Sequence, residues 1–298
     1  MIALGIISDE VGDDLADACA RIASWGLRHV ELRQMWGKNI VQLSDGEVDA
    51  AVAAVRDHGL AVTAVASPVF KSPIDERPRD LEADFALDGV ETLDAQMELL
   101  ERACESAQRL STRYVRIFSF WRQPWNEEVD LRLVDAFRRA AEVADRHDVV
   151  LAVENEPVCL VGTGRELARL WRLLREELPS NLLERIGLLW DPGNALAGGE
   201  DDPYPGGYRA AREGPMIHVH LKDLRWTDDG RPDFVPLGDG RVDYRGQLAA
   251  LREDGYDGAV VLEPHYAPPD LPRHDAAYAC VEATRRLLAD AGIGTGGD

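Results

Sequence analysis

Eight short apolar runs alternate with longer amphipathic stretches along this chain of 298 residues. Each run has the length of a buried strand, and most of the stretches between them show the 3.6-residue period of a helix. The candidate strands are 3–8, 29–33, 60–67, 114–120, 149–155, 186–190, 216–222 and 258–263. The candidate helices are 13–25, 44–58, 84–110, 127–147, 164–178, 243–253 and 274–291. Strands that alternate with helices predict one parallel sheet with the helices packed outside it.

Eight strand–helix units are the number that closes a parallel sheet into a (β/α)8 TIM barrel, whose usual length is about 250 residues. We therefore expect a single α/β barrel domain over residues 1–291, followed by a disordered tail, "GIGTGGD", at 292–298. The main rival is an open doubly wound sheet. No G-x-G-x-x-G motif follows the first strand, which argues against a dinucleotide-binding version of that fold.

Composition excludes several classes of function. The formal net charge of −21 opposes binding to nucleic acid, because phosphate backbones require a basic surface. No window approaches the roughly 18 consecutive apolar residues of a membrane span. The N-terminus lacks the basic region of a secretory signal, so we expect a cytoplasmic protein without membrane or nucleic-acid partners. The four cysteines lack C-x-x-C spacing, which is typical of free thiols.

Four consecutive candidate strands carry an acid or a histidine at or near their ends. These residues are Glu154, Asp191, His220 and Glu263. A single acid at a strand end is usually a helix cap or a solvated charge. Here each acid directly follows an apolar run, where an unpaired charge is costly, and the pattern continues over four strands in a row. Because reactive groups of these barrels lie at the carboxyl ends of the strands, we expect the four to converge at one mouth.

Three carboxylates and one imidazole form an oxygen-rich set that suits Mn²⁺, Mg²⁺ or Co²⁺ better than structural zinc. An octahedral ion with these four ligands would keep two positions for substrate oxygens. Pro192 and Gly193 follow Asp191 and predict a sharp turn, since proline fixes φ and glycine permits a close backbone approach. That turn would leave Asn194 facing the substrate.

His218 and His220 are two residues apart, so both side chains point to the same face of the seventh strand, and Lys222 continues that face. The sequence alone leaves open which histidine binds the ion and which supports it or contacts the substrate. Asn194 and Lys222 are candidates for the pocket wall because they neighbour the ligands. Further wall candidates are Glu31, Arg33, Trp36, Lys71, Arg116, Trp121, Arg225 and His265, with Trp36 and Trp121 able either to stack on a sugar or to pack in the core.

Several motifs together resemble the sugar phosphate isomerase/epimerase family of xylose isomerase-like barrels. They are "VENEP", "DPGN", "HVHLKD", "PLGDGRVDY" and "LEPH", with "ISDE" and "HVELR" near the N-terminus. The resemblance covers nearly the whole chain. This family includes tagatose and psicose 3-epimerases, inosose dehydratase and hydroxypyruvate isomerase.

The resemblance implies that Glu154, Asp191, His220 and Glu263 bind a divalent ion, with Mn²⁺ the first expectation and Mg²⁺, Co²⁺ or Zn²⁺ the alternatives. It assigns the ligand role to His220 and the supporting role to His218. It also implies that Glu154 and Glu263 exchange protons with the substrate. Lys222 and the turn at 238–240 resemble the part that closes on the substrate. Relatives are often oligomers, so a homo-oligomer is among the expected states.

Two positions depart from the family. Asn194 stands where the ketose 3-epimerases carry a histidine. Glu156 stands where many relatives carry a second histidine. Both side chains can still hydrogen-bond a sugar, so we keep Asn194 and Glu156 as expected substrate contacts. The other expected substrate contacts are His218, Lys222 and Trp121. The exact substrate is left open by these departures. The endonuclease IV branch of this fold needs a histidine-rich zinc site, which a chain with only 7 histidines does not favour.

The expected function is a divalent-metal-dependent isomerase or epimerase of a sugar, keto-sugar or polyol that transfers protons through a metal-stabilised enediolate. The same site could instead serve a lyase, either a dehydratase or an enzyme that cleaves an oxidised glycoside. A third reading is a non-catalytic sugar-binding protein that has kept the fold. The complete set of four ligands argues against this last reading.

Overall fold

The computed structural model describes residues 2–75, 87 and 89–294. Eight parallel strands close into a barrel, and two short antiparallel strand pairs lie outside it. In chain order the strands are β1 Ala3–Ile7, β2 His29–Leu32, β3 Gln34–Met35, β4 Lys38–Asn39, β5 Ala61–Ala66, β6 Tyr114–Ile117, β7 Val150–Glu154, β8 Ile186–Trp190, β9 Met216–Leu221, β10 Asp223–Trp226, β11 Pro232–Val235 and β12 Ala259–Leu262.

The order around the barrel follows the chain: β1, β2, β5, β6, β7, β8, β9 and β12, with β12 pairing back to β1 through Ala3 and Ala259. The predicted TIM barrel is therefore confirmed, and all eight predicted strands are present. Most end one to three residues earlier than predicted, because the chain leaves the sheet where the polar residues of the mouth begin. The pairs β3–β4 and β10–β11 were not predicted.

Helices surround the barrel. They are α1 Leu15–Ser24, α2 Asp45–Asp57, α3 Leu93–Arg109, α4 Glu127–Arg146, α5 Gly164–Glu177, α6 Ser180–Leu183, α7 Pro192–Ala197, α8 Tyr208–Ala211, α9 Tyr244–Glu253 and α10 Arg273–Asp290. Short 3₁₀ helices occupy Ser8–Glu10 and Ile40–Gln42, and one π-helical turn occupies Pro203–Gly207. The longer helices bury one apolar face against the strands, as their sequence period predicts.

Local capping signals account for most helix boundaries. Helix α2 begins with a capping box between Ser44 and Glu47, and Gly59 follows its end with a φ of +65°. The helix expected from residue 84 begins instead at Leu93, because Thr92 caps it by accepting the N–H of Ala95. Residues 84–86 and 88 of that prediction lie outside the described residues.

In the C-terminal half, the Gly- and Pro-rich segment after β8 forms only short helical pieces. Of the expected tail at 292–298, residues 295–298 lie outside the described residues, and Ile293 packs against the core. No described helix combines the length and apolarity that are needed to cross a membrane.

Candidate metal centre at the barrel mouth

The four predicted ligand residues meet at the carboxyl end of the barrel. Glu154 is the last residue of β7, Asp191 directly follows β8, His220 lies near the end of β9, and Glu263 directly follows β12. One ligand atom from each lies within 4.8 Å of the others, and all four residues are buried. Neighbouring parallel strands end at the same level, which is why residues far apart in sequence come together here.

Asp191 has a free oxygen aimed into this cluster. Its Oδ1 caps helix α7 by accepting the N–H of Asn194 at 2.9 Å, whereas its Oδ2 is buried and has no hydrogen-bond partner among the described residues. The Lys222 ammonium lies 3.3 Å from Oδ2. Burial raises the pKa of Asp191 to about 6, since Lys222 offsets only part of this effect and the nearby Glu154 adds to it. An orphaned carboxylate oxygen among two further carboxylates and an imidazole fits a divalent cation.

The Asp-Pro-Gly turn fixes this carboxylate in place. Asn155 holds the backbone of Asp191 from β7, accepting its N–H and donating to its carbonyl, both at 2.8 Å. A Cβ atom on Gly193 would lie 2.3 Å from the carbonyl oxygen of Lys222. Glycine is therefore required by the close approach of the chain after β9, as the sequence predicts.

The two nitrogens of His220 face different partners. Nδ1 faces the cluster, 3.1 Å from Glu154 Oε1 and 3.6 Å from Glu263 Oε2, whereas Nε2 lies 3.0 Å from Glu31 Oε1. Burial alone would lower the pKa of His220, but the carboxylates of Glu31 and Glu154 raise it well above its usual value. With Nε2–H donated to Glu31, Nδ1 is the nitrogen that can bind a cation.

Glu31 joins both histidines of strand β9. Its second oxygen, Oε2, lies 2.7 Å from His218 Nε2, and all three side chains are fully buried. Burial raises the pKa of Glu31, but the two histidines outweigh this and leave its pKa well below the usual range. His218 is absent from the described cavity lining; it bonds Glu31 and packs edge-on against the ring of His220, with the ring centroids 5.3 Å apart. Glu31, which the sequence offered only as a wall candidate, lies beneath the ligands instead.

Three cations neutralise the carboxylates. Lys222 Nζ lies 2.5 Å from Glu263 Oε2, Arg33 bonds the other oxygen of Glu263, and Arg116 Nη1 lies 3.2 Å from Glu154 Oε2. Burial raises the pKa of Glu263, but Lys222 and His265 bring it well below the usual value. Burial opposes the charge of Lys222, but Asp191 and Glu263 raise its pKa above the usual value.

Arg33 is also tied to the first strand of the barrel. Its Nη2 lies 2.7 Å from Asp9 Oδ2 and 2.9 Å from Glu10 Oε1, in the 3₁₀ helix that follows β1. Asp9 and Glu10 were not among the predicted site residues. The motif "ISDE" was noted only for its resemblance, and two buried acids directly after an apolar strand were the signal that could have found them.

A cavity of about 390 Å³ opens above the ligands. Of the predicted substrate contacts, Asn194, Lys222 and Glu156 line it. Trp121 does not line it in the described structure: its side chain is buried, and its backbone forms an isolated bridge with Cys159. The apolar lining comes instead from residues that the sequence analysis missed, namely Phe118, Val158, Trp226 and Phe234.

The remaining wall candidates divide between the cavity and the surface. Arg33, Lys71, Arg116 and His265 line the cavity. Arg225 lies in the β10–β11 hairpin and pairs with Asp233 in solvent. Trp36 packs against the core from the turn between β3 and β4. The hairpin itself was missed because β10 and β11 are short strands outside the barrel, without a periodic pattern of their own.

The fold and this geometry agree with the comparison to known families. Residues 19–287 match the family described as the xylose isomerase-like TIM barrel. This match covers most of the chain, so the chain belongs to that family. The resemblance noted from the motifs is confirmed, and so is the prediction of an enzyme of the sugar epimerase and isomerase family.

The individual relatives share only a low sequence identity with this chain. An L-ribulose-5-phosphate 3-epimerase, UlaE, of Salmonella paratyphi C (strain RKS4594) is 26% identical over 282 residues, which cover 90% of this chain and 91% of the relative. A crystal structure of a D-tagatose 3-epimerase-like protein has a TM-score of 0.74 at 18% identity, covering 98% of each chain. A structure of the IOLI protein with a binding zinc atom has a TM-score of 0.72 at 18% identity, covering 97% of this chain and 99% of that one.

Proposed function

We propose that this protein is a divalent-metal-dependent isomerase or epimerase of a keto-sugar. The observation that carries the proposal is the meeting of Glu154, Asp191, His220 and Glu263 beneath one cavity, where the buried Oδ2 of Asp191 has no hydrogen bond from the part of the chain that the structure describes. A keto-sugar is the substrate class because the related proteins are named as sugar 3-epimerases.

The four residues would hold the ion through three carboxylates and His220 Nδ1. Mn²⁺ is our first expectation, with Mg²⁺, Co²⁺ and Zn²⁺ as alternatives, and the zinc atom named for the IOLI structure is compatible with this range. When bound, a divalent ion stabilises negative charge that develops on neighbouring substrate oxygens.

Glu154 and Glu263 are the residues proposed to move the proton. They lie three strands apart around the barrel, on β7 and after β12, so they approach a bound sugar from different directions. One carboxylate removes the proton next to the carbonyl and the other returns a proton to the opposite face, which inverts the carbon. The contacts of Lys222 and Arg33 keep Glu263 ionised, which suits the role of the base.

The other cavity residues would bind the sugar and exclude water. Asn194 Nδ2 lies 3.3 Å from Glu154 Oε1 and donates to the Asn155 carbonyl at 2.9 Å, so its position is fixed beside the ligands. Phe234 and the half-exposed Trp226 of the β10–β11 hairpin supply apolar surface for the carbon face of a sugar. A cytoplasmic location and a homo-oligomer stay predictions.

Solvent deuterium exchange tests this proposal. The Mn²⁺-loaded protein is incubated in D₂O with a panel of ketopentose 5-phosphates, ketohexoses and inososes, and proton NMR follows each substrate. We expect loss of the C–H signal next to the carbonyl of at least one substrate, together with a new epimer or isomer. An enone absorbance in place of an epimer would identify a lyase or dehydratase. Binding without exchange for every sugar would identify a non-catalytic binding protein.

A further inference from the structure

Two buried cations in the cavity wall have fewer partners than their chemistry requires. Lys71 follows β5 and Arg116 lies in β6, and each side chain is only 5% exposed. An ammonium offers three N–H donors and a guanidinium offers five. Among the described residues, the Lys71 ammonium makes no hydrogen bond, and the carboxylate oxygen within ion-pair distance, Glu156 Oε1, is 3.7 Å away.

Arg116 shows the same shortage. Its Nη1 lies 3.2 Å from Glu154 Oε2, but its Nε is buried without a hydrogen-bond partner in the described structure. Both cations also lie against the ring of Phe118, with Lys71 Nζ at 4.8 Å and the Arg116 guanidinium carbon at 4.2 Å from the ring centroid. Contact with an aromatic ring stabilises a positive charge but does not satisfy its N–H donors.

Both side chains line the 390 Å³ cavity, so a ligand there can contact the two cations, although the Nε of Arg116 is itself enclosed. Glu154 is a proposed metal ligand, and a carboxylate that shares its charge with a divalent ion attracts Arg116 less strongly. The half-buried Glu156 is the one other acid near Lys71 in the described residues, and its second oxygen lies 3.4 Å from Asn194 Nδ2. On this side of the cavity, therefore, Lys71 faces the half-buried Glu156, and Arg116 faces a carboxylate that is a proposed metal ligand.

We propose that Lys71 and Arg116 bind an anionic oxygen group of the substrate, a carboxylate or a phosphate, so that the preferred substrates are acidic keto-sugars. This inference rests on the proposed function, because it takes the ligand of the cavity to be a sugar. Charge-assisted hydrogen bonds to oxyanions are roughly twice as strong as neutral ones, so two buried cations select the acid over the neutral sugar. Arg116 supplies the planar fork and Lys71 supplies a second charge.

The test compares a ketopentose 5-phosphate, a keto-sugar acid and the parent neutral ketose. For the Mn²⁺-loaded wild-type protein we expect at least one acid to exceed its neutral parent in kcat/KM by about 10-fold or more, as charged hydrogen bonds of this kind provide. Preference for the phosphate or for the acid identifies the oxyanion. Equal values for all three sugars, or a preference for the neutral ketose, would overturn the inference.

Lys71→Met is the informative variant because it leaves Glu156 partly solvated, whereas loss of Arg116 would leave Glu154 buried without its cation. We expect Lys71→Met to lower kcat/KM for the acid about 10-fold while that for the neutral ketose changes less than about 3-fold. Lys38→Met is the matched control, since Lys38 lies at the surface and pairs with Glu47. An equal loss for acid and neutral sugar in Lys71→Met would contradict the inference.

Binding calorimetry separates this inference from the proposed function. If no sugar is turned over, the proposed function fails, but binding of the ketopentose 5-phosphate or the keto-sugar acid that weakens about 10-fold in Lys71→Met supports the anion site on its own. If a neutral ketose is epimerised and neither acid binds more tightly than that ketose, the proposed function stands and the anion site is overturned.

Discussion

The two halves of the barrel contribute different parts of the site. The second half, β7, β8, β9 and β12, supplies Glu154, Asp191, His220 and Glu263. The first half, β1, β2, β5 and β6, supplies Glu31, Arg33 and Arg116, which contact the ligands, and Asp9 and Glu10, which hold Arg33. Lys71, after β5, faces Glu156 instead. The second half adds Lys222, after β9, and His265, after β12, which both lie against Glu263.

This division separates chemistry from support. Ligand residues must offer lone pairs to one point, so they are acids and a histidine at adjacent strand ends. Supporting residues need only complement that charge or hold the groups that do, so they include both acids and arginines. We therefore expect substitutions of the ligands in the second half to abolish turnover. Substitutions of the supporting residues in the first half should lower the metal affinity or the substrate selectivity.

The largest expected effect comes from removing the ion. Chelator-treated protein should lose turnover and regain it with Mn²⁺ or Co²⁺, because the ion would stabilise the negative charge that develops on the substrate oxygens. Circular dichroism should show that the ion-free protein stays folded, since Lys222, Arg33 and Arg116 still neutralise the carboxylates. Undiminished turnover in protein shown to be metal-free would contradict the mechanism.

Glu263→Gln should reduce kcat by about 10²–10⁴-fold, the usual contribution of a general acid or base. The amide keeps the shape of the side chain but cannot take up a proton. Steady-state kinetics with the ion present measures the effect, and Glu176→Gln on the exposed face of α5 is the matched control. Full activity of Glu263→Gln would show that Glu263 is not a general acid or base in the reaction.

The charge and position of the ligands were predictable from the sequence because each acid directly follows an apolar run. The supporting residues were harder to assign. Glu31 and Arg33 appear in "HVELR" as charges in a strand, but only the barrel shows that Glu31 spans two histidines while Arg33 reaches three acids. The partners of Glu31 lie 187 and 189 residues away, and those of Arg33 lie 23, 24 and 230 residues away, so sequence spacing gives no information about these contacts.

The aromatic lining could not be predicted from local sequence either. Phe118 follows β6, and Trp226 and Phe234 belong to a hairpin that folds over the mouth. Trp121 was the more obvious choice because it follows a strand, but the chain turns there to pair with Cys159. The path of the loop decides which aromatic side chain faces the cavity. Hydrophobic periodicity in the sequence does not predict that path.

A smaller effect is expected from the first half of the barrel. Glu31→Gln should weaken Mn²⁺ binding about 10- to 100-fold, as loss of a partner that orients a metal-binding histidine usually does. A glutamine presents one oxygen and one NH₂ group, so it cannot accept a hydrogen bond from both histidines. Competition calorimetry with a chelator measures the affinity. A dissociation constant equal to that of Glu176→Gln would show that Glu31 has no such role.

The smallest expected effect is a difference in KM between variants of two aromatic residues. Trp121→Phe should change KM less than about 2-fold, because Trp121 does not line the described cavity. Phe234→Ala should raise KM more than Trp121→Phe does, because it removes apolar lining. Initial rates over a range of substrate concentrations measure both. A larger rise in KM for Trp121→Phe than for Phe234→Ala would show that Trp121 contacts the substrate.

Anomalous X-ray diffraction from crystals grown with Mn²⁺ tests the central claim most directly. We expect one strong manganese peak at the barrel mouth, bonded to Glu154, Asp191, His220 Nδ1 and Glu263, with Lys222 displaced from the carboxylates. A peak elsewhere, or no peak at this mouth in crystals that contain the ion, would contradict the assignment.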